Sequence, residues 1–207
     1  MKSKQVIKVL QAMNQTIAHE AQYLTDLDAA IGDGDHGINM KRGFAAVSTK
    51  LEDETTEDCG AVLKTVAMTL ISTVGGASGP LYGTAFLKAA QAASGKTELT
   101  KEDGLAILTA AVEGVQFRGK AERGEKTMLD LLIPLKEAYA ETLEQGLSLA
   151  ETKQKLFTVM DESIAFTKTI IATKGRASYL GERSLGHQDP GATSSYFLVK
   201  TLLDNVE

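Results

Sequence analysis

The sequence has almost no cysteine and no long apolar run, and these absences exclude several classes of protein. Cys59 is the single cysteine among 207 residues, so neither a disulfide framework nor a cysteine-based zinc site is expected. No apolar run is long enough to cross a bilayer, and the polar N-terminal segment lacks a signal-peptide core. We therefore expect a cytoplasmic protein with no membrane partner.

The sequence also lacks a basic patch and the familiar nucleotide-binding motifs. The net charge is −5 and no cluster of Lys and Arg follows one face, which argues against nucleic acid as a partner. There is no P-loop, no kinase-type glycine-rich loop and no dinucleotide fingerprint. The acidic stretch near residue 30 does not have the spacing of an EF-hand. A length of 207 residues suits one domain, residues 1–207, with a substantial core.

The most unusual segment that is present lies at residues 28–39 and reads Asp-Ala-Ala-Ile-Gly-Asp-Gly-Asp-His-Gly-Ile-Asn. Its glycines and aspartates predict a tight loop. Two carboxylates about 5 Å apart repel by roughly 3 kcal/mol at an effective dielectric constant near 20. Asp28, Asp33 and Asp35 therefore suggest a hard divalent cation as the compensating charge. The alternative is a solvated acidic turn between two helices.

Helical periodicity runs through the rest of the chain, and no segment has the pattern of a strand. The stripe Val6, Leu10, Met13, Ile17 and Leu24 follows the three-and-four spacing of a helix. A later helix, at residues 59–73, is apolar on every side and is predicted to be buried. The sequence predicts eight helices, at about residues 3–26, 37–51, 59–73, 78–93, 100–119, 127–145, 149–173 and 189–203. The predicted caps are Ser78, Thr100, Thr127 and Asp189, with Pro190 in the first turn that Asp189 opens.

Short connections make consecutive helices antiparallel, so alternate loops lie at the same end. The loops at residues 28–37, 74–79, 119–127 and 174–190 share one end, and they contain most of the glycine and unusual charge. We therefore predict an all-α fold, an up-and-down barrel or bundle of eight antiparallel helices with the binding site at one end.

Three of these loops lead into helices, at Gly37, Gly79 and Gly191. A helix N-terminus offers free N–H groups and partial positive charge to a phosphate. With the acidic trio opposite, this predicts a site for a Mg²⁺-bound nucleotide or polyphosphate. His36 and Asn39 are candidate phosphate donors or simple turn residues.

Several other residues at this end of the fold are also candidates. Met128 is either a core residue or a base contact, and Arg176 is expected to reach an anion. Lys120, Lys126 and Arg183 are expected to be solvated loop charges.

Four motifs resemble the nucleotide-binding L subunit of dihydroxyacetone kinases, and the resemblance extends almost end to end. They are Gly-Asp-Gly-Asp-His-Gly at 32–37, Gly-Gly-Ala-Ser-Gly-Pro-Leu-Tyr-Gly at 75–83, Arg-Gly-Lys-Ala-Glu at 118–122 with Lys-Thr-Met at 126–128, and a long motif at 175–192 that ends in Gln-Asp-Pro-Gly-Ala. That family has an eight-helix barrel with the nucleotide at one end. This sequence departs from the usual family pattern at Glu125, where the family commonly has Asp.

The resemblance implies a role for each matching residue. Three carboxylates, Asp28, Asp33 and Asp35, are expected to hold two Mg²⁺ ions. The nucleotide is expected to be ADP, or ATP when phosphorylated. Some of the matching residues are expected to contact its phosphates, and others its base. The residues implied are His36, Gly37, Ile38, Asn39, Ala77, Ser78, Gly119, Met128, Arg176, Asp189, Pro190 and Gly191.

A free-standing chain of this length resembles the phosphotransferase-system type of the kinase. There, a phosphohistidine protein, the M subunit, rephosphorylates the bound ADP, and the K subunit holds dihydroxyacetone. The alternatives are a nucleotide-state sensor that docks on a transcriptional regulator, and the nucleotide module of an ATP-dependent dihydroxyacetone or fatty-acid kinase. Fatty-acid kinases normally have further domains after the barrel.

Overall fold

The computed structural model describes residues 1–206 and consists of helices. The helices are α1 (Ser3–Ile31), α2 (His36–Leu51), α3 (Cys59–Thr73), α4 (Ser78–Ala92), α5 (Lys101–Gly119), α6 (Leu129–Glu144), α7 (Leu149–Thr167) and α8 (Pro190–Asn205), with a 3₁₀ helix at Arg176–Ser184. No strand occurs within residues 1–206, where the β-type pairing is an isolated bridge between Lys2 and Glu98. The prediction of an all-α fold with eight α-helices is confirmed.

Consecutive helices pack side by side around a closed ring. α1 packs against α2, α3 against α4, α4 against α5, and α6 against α7, while α1 also packs against α8. Contact between the first and the last helix closes the barrel. All four loops that were predicted to share one end line a single cavity there.

The core lies along the inner faces of the helices. All five residues of the predicted α1 stripe are buried, and Ile17 and Leu24 are completely inaccessible to solvent. They meet fully buried side chains from other helices, among them Phe44 of α2, Leu70 of α3 and Met160 of α7. Each such side chain contributes about 1.5–3 kcal/mol on burial.

The predicted bounds of two helices were wrong. α1 continues to Ile31 instead of ending near residue 26, so Asp28 lies in its last turn and the irregular acidic link is short. α7 ends at Thr167, six residues before the predicted position. At this end, the buried Lys126 ammonium binds the carbonyls of Thr167 and Ile170. The predicted loop at 174–190 contains the 3₁₀ helix.

The prediction that the third helix is buried on every side was also wrong. Met68 is 54% exposed and Ile71 is 43% exposed. α3 packs mainly between α2 and α4, so its outer side faces solvent. Apolar residues on one face of a surface helix are common and do not require a covering element.

None of the helices in residues 1–206 combines the length and apolar character that crossing a membrane requires.

Candidate functional site

Three carboxylates converge where α1 ends and α2 begins. Asp28, Asp33 and Asp35 each place one oxygen so that the three atoms lie within 4.8 Å of one another. Asp28 Oδ2 accepts the backbone N–H groups of Asp35, at 2.9 Å, and His36, at 3.1 Å. Asp28 thus satisfies free N–H groups at the N-terminus of α2 and holds the link between the helices in shape. The oxygen set suits a hard divalent cation.

Glycines in this link have two different functions. Gly34 has a φ of +72°, a left-handed conformation that favours glycine. Gly37 has no such angle, but a Cβ atom there would lie 1.9 Å from the carbonyl oxygen of Ala21. Gly37 therefore permits α2 to approach the backbone of α1 closely, and this approach sets the position of the acidic cluster.

Arg176 reaches across to the acidic cluster from the segment before α8. Its guanidinium lies 2.9 Å from an Asp33 carboxylate oxygen. The Arg176 side chain is 68% exposed, so the ion pair contributes little to stability. The contact nevertheless brings an exposed cationic group to the edge of the cluster, where an anion bound next to a metal would lie.

His36 is buried behind the cluster. Its ring is 7% exposed, and its two nitrogens contact Ser78 Oγ at 2.9 Å and Ser194 Oγ at 2.8 Å. Burial lowers the pKa of His36, although the nearby carboxylates of Asp28 and Asp35 oppose this effect. His36 therefore joins the N-terminal turns of α2, α4 and α8.

Ser78 is the first residue of α4, and the predicted N-cap role of its side chain was wrong. Ala77 occupies the N-cap position, and its side chain forms no capping hydrogen bond. The Ser78 hydroxyl instead contacts the His36 ring. The N-cap residue gives the N–H groups at this end of α4 no side-chain partner, and Ala77 and Ser78 line the cavity.

The predicted Asp189 cap is confirmed, because Asp189 accepts the N–H group of Ala192 at the start of α8. The predicted Thr127 cap was wrong by one residue, because Met128 occupies the N-cap position of α6. The Thr127 hydroxyl nevertheless accepts the N–H group of Leu129 at 3.2 Å. Burial raises the pKa of Asp189 to about 7.

Lys126 is buried, so the prediction of a solvated loop charge was wrong for this residue. It is 2% exposed, it has a φ of +61°, and its ammonium donates to the carbonyls of Thr167 and Ile170. Burial lowers its pKa, and the nearby carboxylates of Asp189 and Asp130 oppose this effect. Sequence spacing could not reveal this, because the two carbonyls lie about forty residues away.

Glu125 ties the same loop to the segment before Arg176. Its carboxylate accepts the N–H group of Glu122 at 2.7 Å and the hydroxyl of Thr173 at 3.1 Å. The Lys174 ammonium lies 3.8 Å away. Glu125 thus joins the loop at 119–127 to the segment that carries Arg176.

These elements enclose a cavity of about 520 Å³, a volume typical of small-molecule sites. The lining includes the acidic cluster and the starts of α2, α4 and α8. It also includes apolar side chains, namely Leu81, Val115, Ala121 and Met128. Such a mixed lining suits a ligand with a charged end and a flat apolar end.

Most of the predicted site residues line this cavity. They are Asp28, Asp33, Asp35, His36, Ala77, Ser78, Gly119, Met128, Arg176, Asp189, Pro190 and Gly191. Gly37, Ile38 and Asn39 are not in the lining. Ile38 is 59% exposed. The Asn39 carboxamide accepts a hydrogen bond from Arg42 at 2.7 Å and lies beneath Gly75.

Three lining or adjacent residues were not identified from the sequence: Tyr82, Ser194 and Ser195. The Tyr82 hydroxyl lies 2.7 Å from Ser194 Oγ and 2.8 Å from Ser195 Oγ. Burial raises the pKa of Tyr82 to about 12, so this phenol stays protonated. A Ser-Ser pair on a helix and a Tyr in a glycine-rich motif are common, and neither signals a contact between α4 and α8.

The fold and site define an all-helical protein with a cleft at one end of its barrel, lined by a carboxylate cluster and by helix N-termini. A family model, described as the DAK2 domain, matches residues 30–204. The chain therefore belongs to the DAK2-domain family.

Relatives of nearly the same length are known in several bacteria. The chain is 46% identical over 198 residues to the "PEP-dependent dihydroxyacetone kinase, ADP-binding subunit DhaL" of Escherichia coli, covering 96% of this chain and 94% of that protein. It is 43% identical to the "PTS-dependent dihydroxyacetone kinase, ADP-binding subunit DhaL" of Lactococcus lactis, covering 97% and 96%.

A solved structure has the same fold. The dihydroxyacetone kinase of C. freundii, in complex with AMP-PNP and Mg²⁺, superposes with a TM-score of 0.72 at 24% identity, covering 97% of this chain and 34% of that chain.

Proposed function

We propose that this chain is the ADP-carrying subunit of a phosphotransferase-system-dependent dihydroxyacetone kinase. The observation that carries the proposal is the meeting of three carboxylates and three helix N-termini around one cavity. The names of the full-length bacterial relatives support the same activity. As such a subunit, the protein acts in the cytoplasm, as the sequence predicts.

Mg²⁺ ions, two in the proposal, are held by Asp28, Asp33 and Asp35. Bound there, Mg²⁺ neutralises phosphate charge during phosphoryl transfer. The residues present fit this function, because their oxygens converge within 4.8 Å and hydrogen bonds to Asp28 already fix one of the three carboxylates.

The diphosphate of ADP lies against the N-termini of α4 and α8 in this proposal. Ala77 and Ser78 begin α4, while Pro190 and Gly191 begin α8, and all four line the cavity. A diphosphate bound there would meet the positive ends of two helix dipoles. Arg176 supplies an exposed positive charge beside Asp33. The roles of Gly37, Ile38 and Asn39 stay predictions. In these predictions, the N-terminus of α2 also contacts the phosphates of the nucleotide.

The adenine side of ADP lies toward the apolar wall, where Gly119 and Met128 border the cavity. Met128 is 5% exposed, so its side chain is held in place before a base arrives. The cavity volume of about 520 Å³ accommodates a nucleotide.

The nucleotide is the phosphoryl carrier in this proposal, and no side chain of the chain takes that role. A phosphohistidine on the M subunit donates the phosphoryl group, which passes through the nucleotide to dihydroxyacetone on the K subunit and gives dihydroxyacetone phosphate. Within the site, His36 is a poor phosphoryl acceptor, because both of its ring nitrogens contact serine hydroxyls. Mass spectrometry is expected to find no stoichiometric phosphohistidine on this chain.

The proposal is tested by purifying the chain without added nucleotide, denaturing it and identifying the released small molecule. ADP in near-stoichiometric amount is the expected result. The chain is then mixed with a K subunit, dihydroxyacetone and a phosphorylated M subunit. Formation of dihydroxyacetone phosphate supports the carrier function. Bound ADP without product identifies a nucleotide-state sensor that docks on a regulator instead, and product formed with ATP alone identifies an ATP-dependent kinase module.

A further inference from the structure

Five polar side chains form a continuous hydrogen-bonded chain behind the phosphate side of the cavity. In order they are Ser195, Tyr82, Ser194, His36 and Ser78. The successive contacts measure 2.8, 2.7, 2.8 and 2.9 Å. All except Ser78 are buried, and Ser78, His36 and Tyr82 line the cavity. The chain therefore connects the interior between α4 and α8 to the cavity surface.

Such a chain can be ordered in two opposite directions. Each hydroxyl donates one hydrogen, and a neutral imidazole has one N–H and one acceptor nitrogen. In the outward direction, Tyr82 donates to Ser194, Ser194 donates to His36 Nε2, and His36 Nδ1–H donates to Ser78. The Ser78 O–H is then free to donate into the cavity.

In the inward direction, the chain presents a hydrogen-bond acceptor to the cavity, and an acceptor does not bind an anion. Ser78 then donates to His36 Nδ1, and the Nε2–H donates to Ser194. The Ser194 hydroxyl can end the chain at the carbonyl oxygen of Gly191, which is 3.1 Å away. In this arrangement, Ser78 faces the cavity with lone pairs, which repel phosphate oxygens.

The Tyr82 hydroxyl is a group in the chain that can favour one direction over the other. A phenol is a better hydrogen-bond donor than an aliphatic hydroxyl, because it is the stronger acid. Its contact with Ser194 Oγ, at 2.7 Å, is shorter than its contact with the Gly191 carbonyl, at 3.2 Å. When Tyr82 donates to Ser194, the hydrogen of Ser194 goes to the imidazole nitrogen, a strong acceptor.

We propose that Tyr82 is a positioning residue that orders this chain outward, so that the Ser78 hydroxyl donates to the diphosphate of the bound nucleotide. The identity of the ligand in this inference rests on the proposed function, whereas the direction of the hydrogen bonds does not. Tyr82 itself lines the cavity, and it acts on Ser78 through Ser194 and His36.

The first test compares ADP with adenosine in Tyr82→Phe, a variant that keeps the ring and removes the hydroxyl. Titration calorimetry with saturating Mg²⁺ is expected to show ADP affinity reduced about tenfold, as loss of a hydrogen bond to a charged group implies. Adenosine affinity is expected to be unchanged. Tyr139→Phe is the matched control, because the Tyr139 hydroxyl donates to the Lys101 carbonyl at 2.9 Å and does not line the cavity.

The second test needs no nucleotide. Long-range ¹⁵N–¹H NMR correlations identify which nitrogen of His36 carries the proton. The wild-type protein is expected to have the Nδ1–H form, and both Tyr82→Phe and Ser194→Ala are expected to shift the population toward Nε2–H.

The outcomes separate the two proposals. If the wild-type protein does not bind ADP, the proposed function fails, and the His36 tautomer still decides whether Tyr82 orders the chain. An unchanged tautomer in Tyr82→Phe overturns the positioning role. Equal weakening of ADP and adenosine also overturns it, because that result indicates a purely structural effect on the cavity.

Discussion

Lys126 is a charged side chain enclosed in the protein, and its surroundings explain how that is tolerated. Its ammonium binds two carbonyls at the end of α7 and lies near the carboxylates of Asp130 and Asp189. A positive charge at a helix C-terminus interacts favourably with the helix dipole. Asp130 is itself fully buried and accepts the N–H groups of Gly124 and Thr127. These buried charges hold the loop at 119–127 in place.

Replacement of Lys126 by Met is expected to lower the free energy of unfolding by about 1–3 kcal/mol, because two buried carbonyls lose their donor. Chemical denaturation measures this loss. Lys120→Met is the control, since Lys120 is an exposed residue of the same loop, and it is expected to change stability by less than about 0.5 kcal/mol. Equal effects of the two replacements would contradict the structural role of Lys126.

Asp189 predicts a pH dependence of stability. Its pKa is about 7 in the folded protein, against an ordinary value of 3.8. Between these values, the folded state holds a proton that the unfolded state has released. The contribution of Asp189 to the free energy of unfolding therefore falls as pH rises from about 4 to 7, by at most about 4 kcal/mol.

Asp189→Asn is expected to remove that slope, since Asn keeps the capping function but does not titrate. Denaturation curves across this pH range, measured without nucleotide, provide the test. Asp58→Asn is a matched control, because Asp58 caps α3 away from the cavity. The same slope in wild-type and Asp189→Asn protein would show that other groups cause it.

At the scale of the elements, the acidic link owes its shape to the packing of α1 against α2. Asp28 in the last turn of α1 binds the N–H groups that open α2. The contact of Gly37 with the Ala21 carbonyl lets the two helices approach closely. The helix pair thus places the carboxylates of Asp33 and Asp35 near that of Asp28, which hydrogen bonds already hold.

Gly37→Ala is expected to destabilise the protein by about 1–3 kcal/mol, because the new methyl group meets backbone that cannot move aside easily. It is also expected to weaken Mg²⁺-dependent ADP binding, which calorimetry measures. Gly104→Ala is the control. Its Cβ atom would meet the flexible end of Tyr139 at 3.0 Å, and alanine is the better helix former by about 1 kcal/mol. Normal ADP binding by Gly37→Ala would show that the geometry of the acidic link does not depend on this helix contact.

At the scale of the whole molecule, the barrel brings distant segments into one cavity. His36 contacts Ser194, 158 positions along the chain, and Tyr82 contacts Ser195, 113 positions away. A ligand in the cavity touches the starts of three helices and the loop before a fourth. Because it binds only the folded arrangement, such a ligand stabilises the whole barrel.

The double replacement of Asp33 and Asp35 by Ala is expected to abolish the Mg²⁺-dependent part of ADP retention and of phosphoryl transfer. ADP at 100 times its Kd stabilises the wild-type protein by about 2.7 kcal/mol, which a thermal shift detects, and the variant is expected to lose this shift. EDTA should reproduce that loss in the wild-type protein. Glu52→Ala with Asp53→Ala, at the other end of the barrel, is a control for the change in charge. Full retention and transfer in the Asp33 and Asp35 variant would contradict the proposed metal site.

Local pattern by itself determined the helices, their number and the end of the barrel at which the unusual loops lie. Helical periodicity, the Thr100 and Asp189 caps and short connections act over a few residues, so they can be recognised in the sequence. The acidic trio was recognised for the same reason, since its members lie within eight positions.

Only the tertiary structure decided which of these groups meet and what each one does. The burial of Lys126, the His36 contacts with two serines and the hydroxyl chain through Tyr82 join residues about forty to 158 positions apart. Ser78 faces a histidine rather than capping its helix for the same reason. Each depends on how the helices close into a ring, because a polar side chain removed from water takes the partners that packing brings within reach.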